Sequence, residues 1–464
     1  MKTILFSSFF FSFFLVSNTT SCLSCLDSKK SNIAIETAAS KNYKEFCAGC
    51  HGQNLERFQG KEAEDFTSIE KLVHSIKYGL EDIGMPAFEK AFSDGEILEL
   101  AEFIANTIKP NHVKWSDKVK QEFEVETVVT GLDIPWGLAF LPNGDMLITE
   151  RSGKLLRFSN GKLSQPIKGV PEVFAVNQGG LLDIALHPQY EKNGWIYFSY
   201  SSVKMEGNDR KSNTAIMRAR LEDNTLKDQE IIFQAEPMTS RAHHFGCKLA
   251  FDKDNNLFFG VGDRGQHFDF PQKLDNHNGK IHRIRDDGSI PEDNPFVNTP
   301  GAMPSIYSYG HRNPQGTCFH PETGELWESE HGPKGGDELN LVKPGLNYGW
   351  PVISYGINYD GSILTELTEK EGLEQPVHQW TPSIAPCGMT FMTGDKYPGW
   401  KNNLFLGSLS FRYLERVVLD GHKVVHTEKL LEDIGRVRNV VMSPDGYLYV
   451  AVESPGRILR LKPL

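Results

Sequence analysis

A chain of 464 residues is longer than one small domain needs. With 39% hydrophobic and 23% charged residues it has the composition of an ordinary globular protein. Its net charge of -11 leaves no basic excess to neutralise phosphates, which argues against nucleic acid as a partner.

The chain begins Met1-Lys2-Thr3, then runs apolar from Ile4 to Val16. One positive charge ahead of a short apolar core is a secretory signal pattern, and the run is too short for a transmembrane helix. Residues 1–21 are read as a signal peptide, so the protein is expected to be exported to the periplasm. Cys22 and Cys25 follow. Two readings stand open there: a lipid anchor on Cys22, giving a membrane-tethered lipoprotein, or plain secretion. The preceding Thr19-Thr20-Ser21 lacks the Leu expected three positions before a lipidated Cys. Residues 22–37 are polar and suit a tether.

Cys47-Ala48-Gly49-Cys50-His51 is a C-x-x-C-H site. That pattern reads as covalent c-type haem attachment, with both thiols on the macrocycle and His51 as an axial ligand to iron. The alternative for so short a motif is a zinc half-site. Gly84-Met85-Pro86 supplies a Met at the distance where the second axial ligand is expected. A helix is predicted to start at Ser93-Asp94, with Glu96 in its first turn, and to stop before Pro110. Its apolar face is read as Ile97, Leu98, Leu100, Ala101, Phe103 and Ile104. Residues 38–110 resemble a small class I cytochrome c domain, and 111–121 read as a linker.

From residue 122 onward helical periodicity gives way to short apolar strands behind turn signals. Pro142-Asn143-Gly144-Asp145 precedes Met146-Leu147-Ile148, and Asn193-Gly194 precedes Trp195-Ile196-Tyr197-Phe198. Asp254-Asn255-Asn256, Thr323-Gly324-Glu325, Asn402-Asn403 and Pro444-Asp445-Gly446 mark four more such units. A turn followed by an aromatic-rich strand is hairpin chemistry. Six units at this spacing predict a six-bladed β-propeller over 122–464, with 124–129 completing the last blade. A β-sandwich or two smaller β domains are the alternatives. Cys247, Cys318 and Cys387 are an odd remainder and read as buried thiols, with one disulfide left open.

Several segments are dense in His, Arg, Asp and Gly. They include Ala242-His243-His244-Phe245-Gly246, Gly260-Val261-Gly262-Asp263, Gly310-His311-Arg312-Asn313 and Glu330-His331-Gly332-Pro333. Asn347-Tyr348-Gly349-Trp350-Pro351 and Gly435-Arg436-Val437-Arg438 complete the set. They offer His bases, an Asp to orient one of them, and Arg residues suited to a polyanion. The segments, spread from about residue 125 to 464, resemble the soluble PQQ-dependent aldose sugar dehydrogenases.

That resemblance implies His244 as catalytic base, Asp263 as its orienting carboxylate, and Arg312 with Asn313 beside the quinone oxygens. It implies Gln178, Ser383, Arg436 and Arg438 as further PQQ contacts. Carbonyl oxygens of Gly332 and Pro333 would hold an active-site Ca²⁺, and Glu338 and Tyr348 a second, structural one. One departure is Ser410, standing where the family usually has a Lys that reaches the cofactor; Arg412, two residues on, is read as facing the same way. The two parts together imply a quinohaemoprotein dehydrogenase. It would oxidise an aldose by hydride transfer to PQQ and pass electrons to the haem, then to an external cytochrome or membrane carrier. The alternative is a propeller without PQQ that binds sugar or protein beside an electron-carrier cytochrome.

Overall fold

The computed structural model describes residues 37–51, 55, 69–80, 85–107, 121–265 and 268–464. The predicted signal segment, Cys22, Cys25 and almost all of the predicted linker lie outside the described residues, as does the side chain of Cys50.

In the N-terminal part, helical turns run without a break through Ala38–Asn42, Tyr43–Cys47 and Ala48–His51. Two longer helices follow, Ile69–Tyr78 and Asp94–Thr107. The last starts where the sequence predicts. Ser93 N donates to Glu96 Oε2 at 2.9 Å, and Glu96 N donates to Ser93 Oγ at 3.4 Å, a reciprocal cap. Ile97, Leu100, Ala101 and Ile104 are buried at i, i+3, i+4 and i+7 against Tyr43, Leu72 and Ile76. Leu98, read as part of that face, is 44% exposed, because its position falls on the outer side of the helix. The apolar stripe is narrower than the composition suggested.

The rest is a six-bladed β-propeller of four-stranded antiparallel sheets. Blades 1 to 5 occupy residues 135–163, 181–234, 249–309, 314–380 and 386–430. Blade 6 combines Val437–Met442, Leu448–Glu453 and Gly456–Pro463 with Phe123–Leu132, which pairs antiparallel to Gly456–Pro463. The ring therefore closes with its first strand, as expected. Each of the six turn signals joins the first and second strands of a blade. The repeat visible in the sequence is thus the inner hairpin of each blade.

Strand alternation fills the gaps between blades on both faces. In blade 3, Leu257 and Phe259 pack toward Tyr197 and Ile216 of blade 2, while Phe258 between them joins Leu326 and Val342 of blade 4. Trp327 of blade 4 turns the other way, toward Met389 and Leu404 of blade 5. The blade 3–blade 4 gap is the exception. Its buried apolar cluster is only Phe258, Ile281, Leu326 and Val342, and polar residues take the remaining space. Cys247 and Cys387 are buried free thiols and Cys318 is a partly buried one; the described residues contain no disulfide.

Buried histidines make the propeller acid-sensitive. His282 is fully buried and stacks on Phe259, with Nδ1 3.0 Å from Ser305 Oγ and Nε2 2.8 Å from the His277 carbonyl. Burial holds His282 well below the usual imidazole range and lowers His277 and His378 to about 4. The unfolded chain takes up protons near 6.5, the folded one only near 4 or below. Their contribution is therefore complete above pH 6.5 and is lost as pH falls toward 4. Urea unfolding midpoints should drop between pH 7 and pH 5.

Candidate active site

The predicted site residues converge because they all sit at one end of the blades. Gln178, His244, Arg312, Ser383 and Arg436 lie in the segments entering the first strands of blades 2 to 6. Asp263 and Gly332 follow the second strands of blades 3 and 4. In an antiparallel pair the start of one strand faces the end of its neighbour, as Pro314 faces Glu330. One rim of the ring thus collects loops from five blades.

His244 is 9% exposed and has a left-handed φ of 51°, held by its neighbours. Its N–H donates to Gln178 Oε1 at 2.8 Å, and Nδ1 lies 2.6 Å from Asp263 Oδ1. Gly262 behind it has no room for a side chain, since a Cβ would fall 2.3 Å from the His244 carbonyl. Burial and the Arg312 charge lower the His244 pKa against the pull of Asp263, so the imidazole is neutral at neutral pH. Burial alone would raise Asp263; His244, Arg312 and the Gly265 N–H outweigh it and hold the carboxylate charged. With Nδ1–H directed at that anion, Nε2 carries the free lone pair.

Three residues that support this pair are not identifiable from the motifs alone. Trp350 Nε1 donates to Asp263 Oδ2 at 2.8 Å, and its ring lies 5.2 Å beneath the Arg312 guanidinium. Arg264 is fully buried, with Nη1 donating to the carbonyls of His243 and His244 at 2.6 and 3.0 Å and Nη2 to that of Arg241 at 2.5 Å. Burial lowers its pKa to about 9, and it clamps the loop that carries His244. Glu453 accepts from Arg436 Nε at 2.7 Å and Arg438 Nε at 2.6 Å, which fixes both arginines. Trp350→Phe removes one bond to a charged acceptor, worth about 1.5–3 kcal/mol. It should lower kcat roughly 10- to 100-fold and lower the melting temperature by a few degrees, as steady-state kinetics and calorimetry would show.

Arg312, Asn313, Arg436 and Arg438 do come together on this face. Arg312 Nε is buried without a partner, an orphan donor of the kind a bound anion satisfies. Arg438 is buried over the Trp136 ring at 3.7 Å and donates to Cys387 Sγ at 3.1 Å, while the Arg436 side chain is 45% exposed. This donor set fits a polycarboxylate such as PQQ. Gln178 spends its oxygen on His244 and keeps its NH₂ end for a ligand.

The loop after blade 4's second strand is crowded with carbonyls. A Cβ on Gly332 would lie 2.2–2.4 Å from the carbonyl oxygens of Gly336 and Gly335. Arg312 Nη1 donates to the Gly332 carbonyl at 2.7 Å, and Ser383 Oγ is 3.1 Å from the Pro333 carbonyl. Asp337 ties this loop to the Ser383 segment, accepting from Gly332 N at 2.8 Å and Ala385 N at 2.7 Å, with Ser383 Oγ 3.0 Å away. The Gly332 and Pro333 carbonyls each accept one hydrogen bond and keep a second lone pair, a hard oxygen of the kind Ca²⁺ takes.

One reading is corrected. Arg412 does not replace the missing Lys: 409–413 is a turn rather than a strand, Arg412 has φ 60°, and its side chain pairs outward with Asp433 at 2.8 Å. The Tyr348 phenol donates to the Leu341 carbonyl at 2.6 Å and accepts from Lys343 N at 2.9 Å. Its main-chain carbonyl is the oxygen it has to offer an ion. Glu338 lies among Glu328, Glu330 and Asn340; burial and the Glu330 charge push Glu328 and Glu338 well above the usual carboxylate range.

In the helical part, Cys47 is buried and His51 stands one turn further along the same helical run. Met85 packs against the same core and bridges to Leu80. A thiol and an imidazole one turn apart on a helical run, with Met85 packed against the same apolar core, fit a haem.

Residues 132–460 match the glucose/sorbosone dehydrogenase family, and residues 36–104 match subunit III of cbb3-type cytochrome c oxidase. The chain is 44% identical over 347 residues to aldose sugar dehydrogenase YliI of Escherichia coli, covering 73% of this chain and 92% of that protein. The apo-form crystal structure of the soluble E. coli aldose sugar dehydrogenase superposes with a TM-score of 0.71 at 42% identity, covering 74% of this chain and all of that one. A PQQ-bound aldose sugar dehydrogenase from Streptomyces coelicolor gives 0.60 at 30% identity, covering 75% and 100%. The chain belongs to the glucose/sorbosone dehydrogenase family, which includes aldose sugar dehydrogenases, and carries an N-terminal cytochrome c domain.

Proposed function

We propose that this protein is a quinohaemoprotein that oxidises an aldose on the propeller rim and delivers the electrons, through its own haem, to an external acceptor outside the cytoplasm. The observation that carries this reading is the 2.6 Å contact between His244 and Asp263, on the rim that also holds a group of arginines with an orphan donor. When bound, PQQ supplies a two-electron hydride acceptor, Ca²⁺ a Lewis acid, and the c-type haem a one-electron relay.

The chain's own residues do the rest. His244 Nε2 takes the proton of the sugar hydroxyl. Asp263 stabilises the imidazolium that results, and Trp350 keeps Asp263 from rotating. Arg312 and Asn313 stand where negative charge grows, pre-aimed by their hydrogen bonds. Arg436 and Arg438, set by Glu453, clamp carboxylates. Gly332 and Pro333 carbonyls hold the active-site ion, with Glu338 and the Tyr348 carbonyl for the second. Cys47 and Cys50 tether the haem, and His51 and Met85 hold its iron. Covalent linkage raises the local concentration of acceptor next to donor.

Ser410 and the outward-turned Arg412 favour a second reading, a propeller that binds sugar or protein without PQQ. Anaerobic spectroscopy separates the two. The haem protein, supplied with PQQ and Ca²⁺, should show reduced c-haem bands on adding an aldose. A haem that responds to dithionite but to no aldose would refute transfer from an aldose to the haem; if PQQ also failed to bind, the propeller would be a binding module. Membrane extraction of the Cys22→Ser variant against wild type would decide between a lipid anchor and plain secretion.

A further inference from the structure

A small polar cavity of about 10 Å³, room for a single water, lies where the first strands of all six blades meet. Trp136, Asp183, Gln315, Gly388 and Asn439 line it from blades 1, 2, 4, 5 and 6, and Lys248 from the segment entering blade 3. A space bounded by every blade sits on the ring axis. Lys248 Nζ donates to Asp183 Oδ1 at 3.0 Å and to Asn439 Oδ1 at 3.0 Å. Blades 3 and 6 stand opposite each other in a ring of six, so the second bond crosses the axis.

Both partners are tied down in turn. Asp183 Oδ2 accepts from Leu249 N at 2.9 Å, and Asn439 Nδ2 donates to the Trp136 carbonyl at 3.0 Å. A Cβ on Gly388 would fall 2.2 Å from Asn439 Oδ1, so that amide is pressed against the blade 5 backbone. The Lys248 and Asp183 side chains are 13% and 2% exposed. A buried ion pair adds little net stability over apolar residues of equal volume, because desolvation offsets the attraction. Its effect is directional, and here it fixes where strands of three blades begin.

Those strand starts carry the two halves of the site. Lys248 closes the short segment that opens at His244, and Asn439 directly follows Arg438. Arg438 lies 3.7 Å over the ring of Trp136, the residue whose carbonyl holds Asn439. Gln315 bridges the same two segments with longer bonds, 3.4 Å from Nε2 to the Gly246 carbonyl and 3.3 Å from Arg438 Nη1 to Oε1. We propose that Lys248 is a positioning residue for sugar oxidation, whose cross-axis bond to Asn439 sets the spacing between His244 and Arg438. The inference rests on the quinoprotein reading. The sugar hydroxyl gives its proton to His244 Nε2 while the carbon beside it gives hydride to the quinone, so base and cofactor clamp have to be fixed relative to each other. Misplacement by about 1 Å costs on the order of 10²-fold in rate. Opposite blades share no strand that could fix this spacing, and the ammonium supplies the link.

The test compares the full-length haem protein with Lys248→Met/Asp183→Asn, which removes the bond without leaving a buried charge unpaired. Both are saturated with PQQ and Ca²⁺ and assayed by aldose-dependent haem reduction across pH, with PQQ affinity titrated separately. The variant should lose kcat about 10- to 100-fold with little change in aldose KM, and should bind PQQ more weakly. Its acid limb should stay at the wild-type pH, because the His244–Asp263 contact is untouched. Should it not fold, Asn439→Ser keeps the Lys248–Asp183 pair, removes the cross-axis bond, and is expected to show the same kcat loss. A lower melting temperature with unchanged kcat in the folded, PQQ-saturated variants would make the network merely structural and overturn the proposal. A shifted acid limb would also overturn it, by placing the effect on the base itself. A wild type that reduces no haem with any aldose defeats the quinoprotein reading on its own arm, and this proposal with it.

Discussion

His244→Ala should lower aldose-dependent haem reduction by about 10²–10⁴-fold, the range general-base catalysis supplies, while dithionite still reduces the haem fully. The expectation follows from the paired geometry. Nδ1 is committed to Asp263 at 2.6 Å, so Nε2 is the group available to accept a proton. Asp263→Asn should fall in the same range, because an amide neither fixes that tautomer nor stabilises the imidazolium. The pH profile gives a second signature. Burial and Arg312 hold the His244 pKa below 6.5. A base with a lowered pKa stays competent as pH falls, so the acid limb of kcat/KM should lie below pH 6.5. Asp263→Asn removes the charge that opposes this lowering and should move the limb further toward acid. An acid limb above 6.5 would point to a different base.

Trp400→Ala should cost about 3–5 kcal/mol of stability, the usual range for emptying a buried aromatic site. Trp400 is 1% exposed and stacks on Tyr397 at 5.5 Å with an 8° interplanar angle. It also meets Phe405 of blade 5 at 5.1 Å and Phe123 of the closing strand at 5.4 Å. The cavity would therefore open where blade 5, blade 6 and the closing strand meet. Denaturant unfolding should show a lower midpoint, and limited proteolysis should cut first beside Phe123. An unchanged midpoint would mean that ring closure does not depend on this packing.

The propeller was legible in the sequence because each blade repeats a local signal. A turn needs particular residues, and the strand behind it is buried on both faces, so composition alone marks the inner hairpin. The proposed catalytic pair stood out for a similar reason: His244 and Asp263 sit in short, dense segments, and the family resemblance they carry suggested their roles. What could not be read is what long-range packing decides. Glu453 lies in an unremarkable strand, and only blade geometry puts it between Arg436 and Arg438. Arg264 follows Asp263 directly, yet nothing local says that its side chain folds back under the His244 loop. Arg412 was misread because strand alternation was extended through a turn. Glu328 passed unnoticed since alternating polar residues usually mark a solvent face, and here the facing surface is another blade.

The closing strand also governs how the chain reaches its final state. Phe123–Leu132 pairs with Gly456–Pro463, from the two extremes of the propeller sequence. A contact of such high order forms late, because the whole intervening chain must be ordered to bring its ends together. Until then, blade 6 presents a bare edge, and edges of that kind recruit other strands. Refolding should thus pass through an open-ring species whose yield falls as protein concentration rises, and a free peptide spanning 121–132 should capture it.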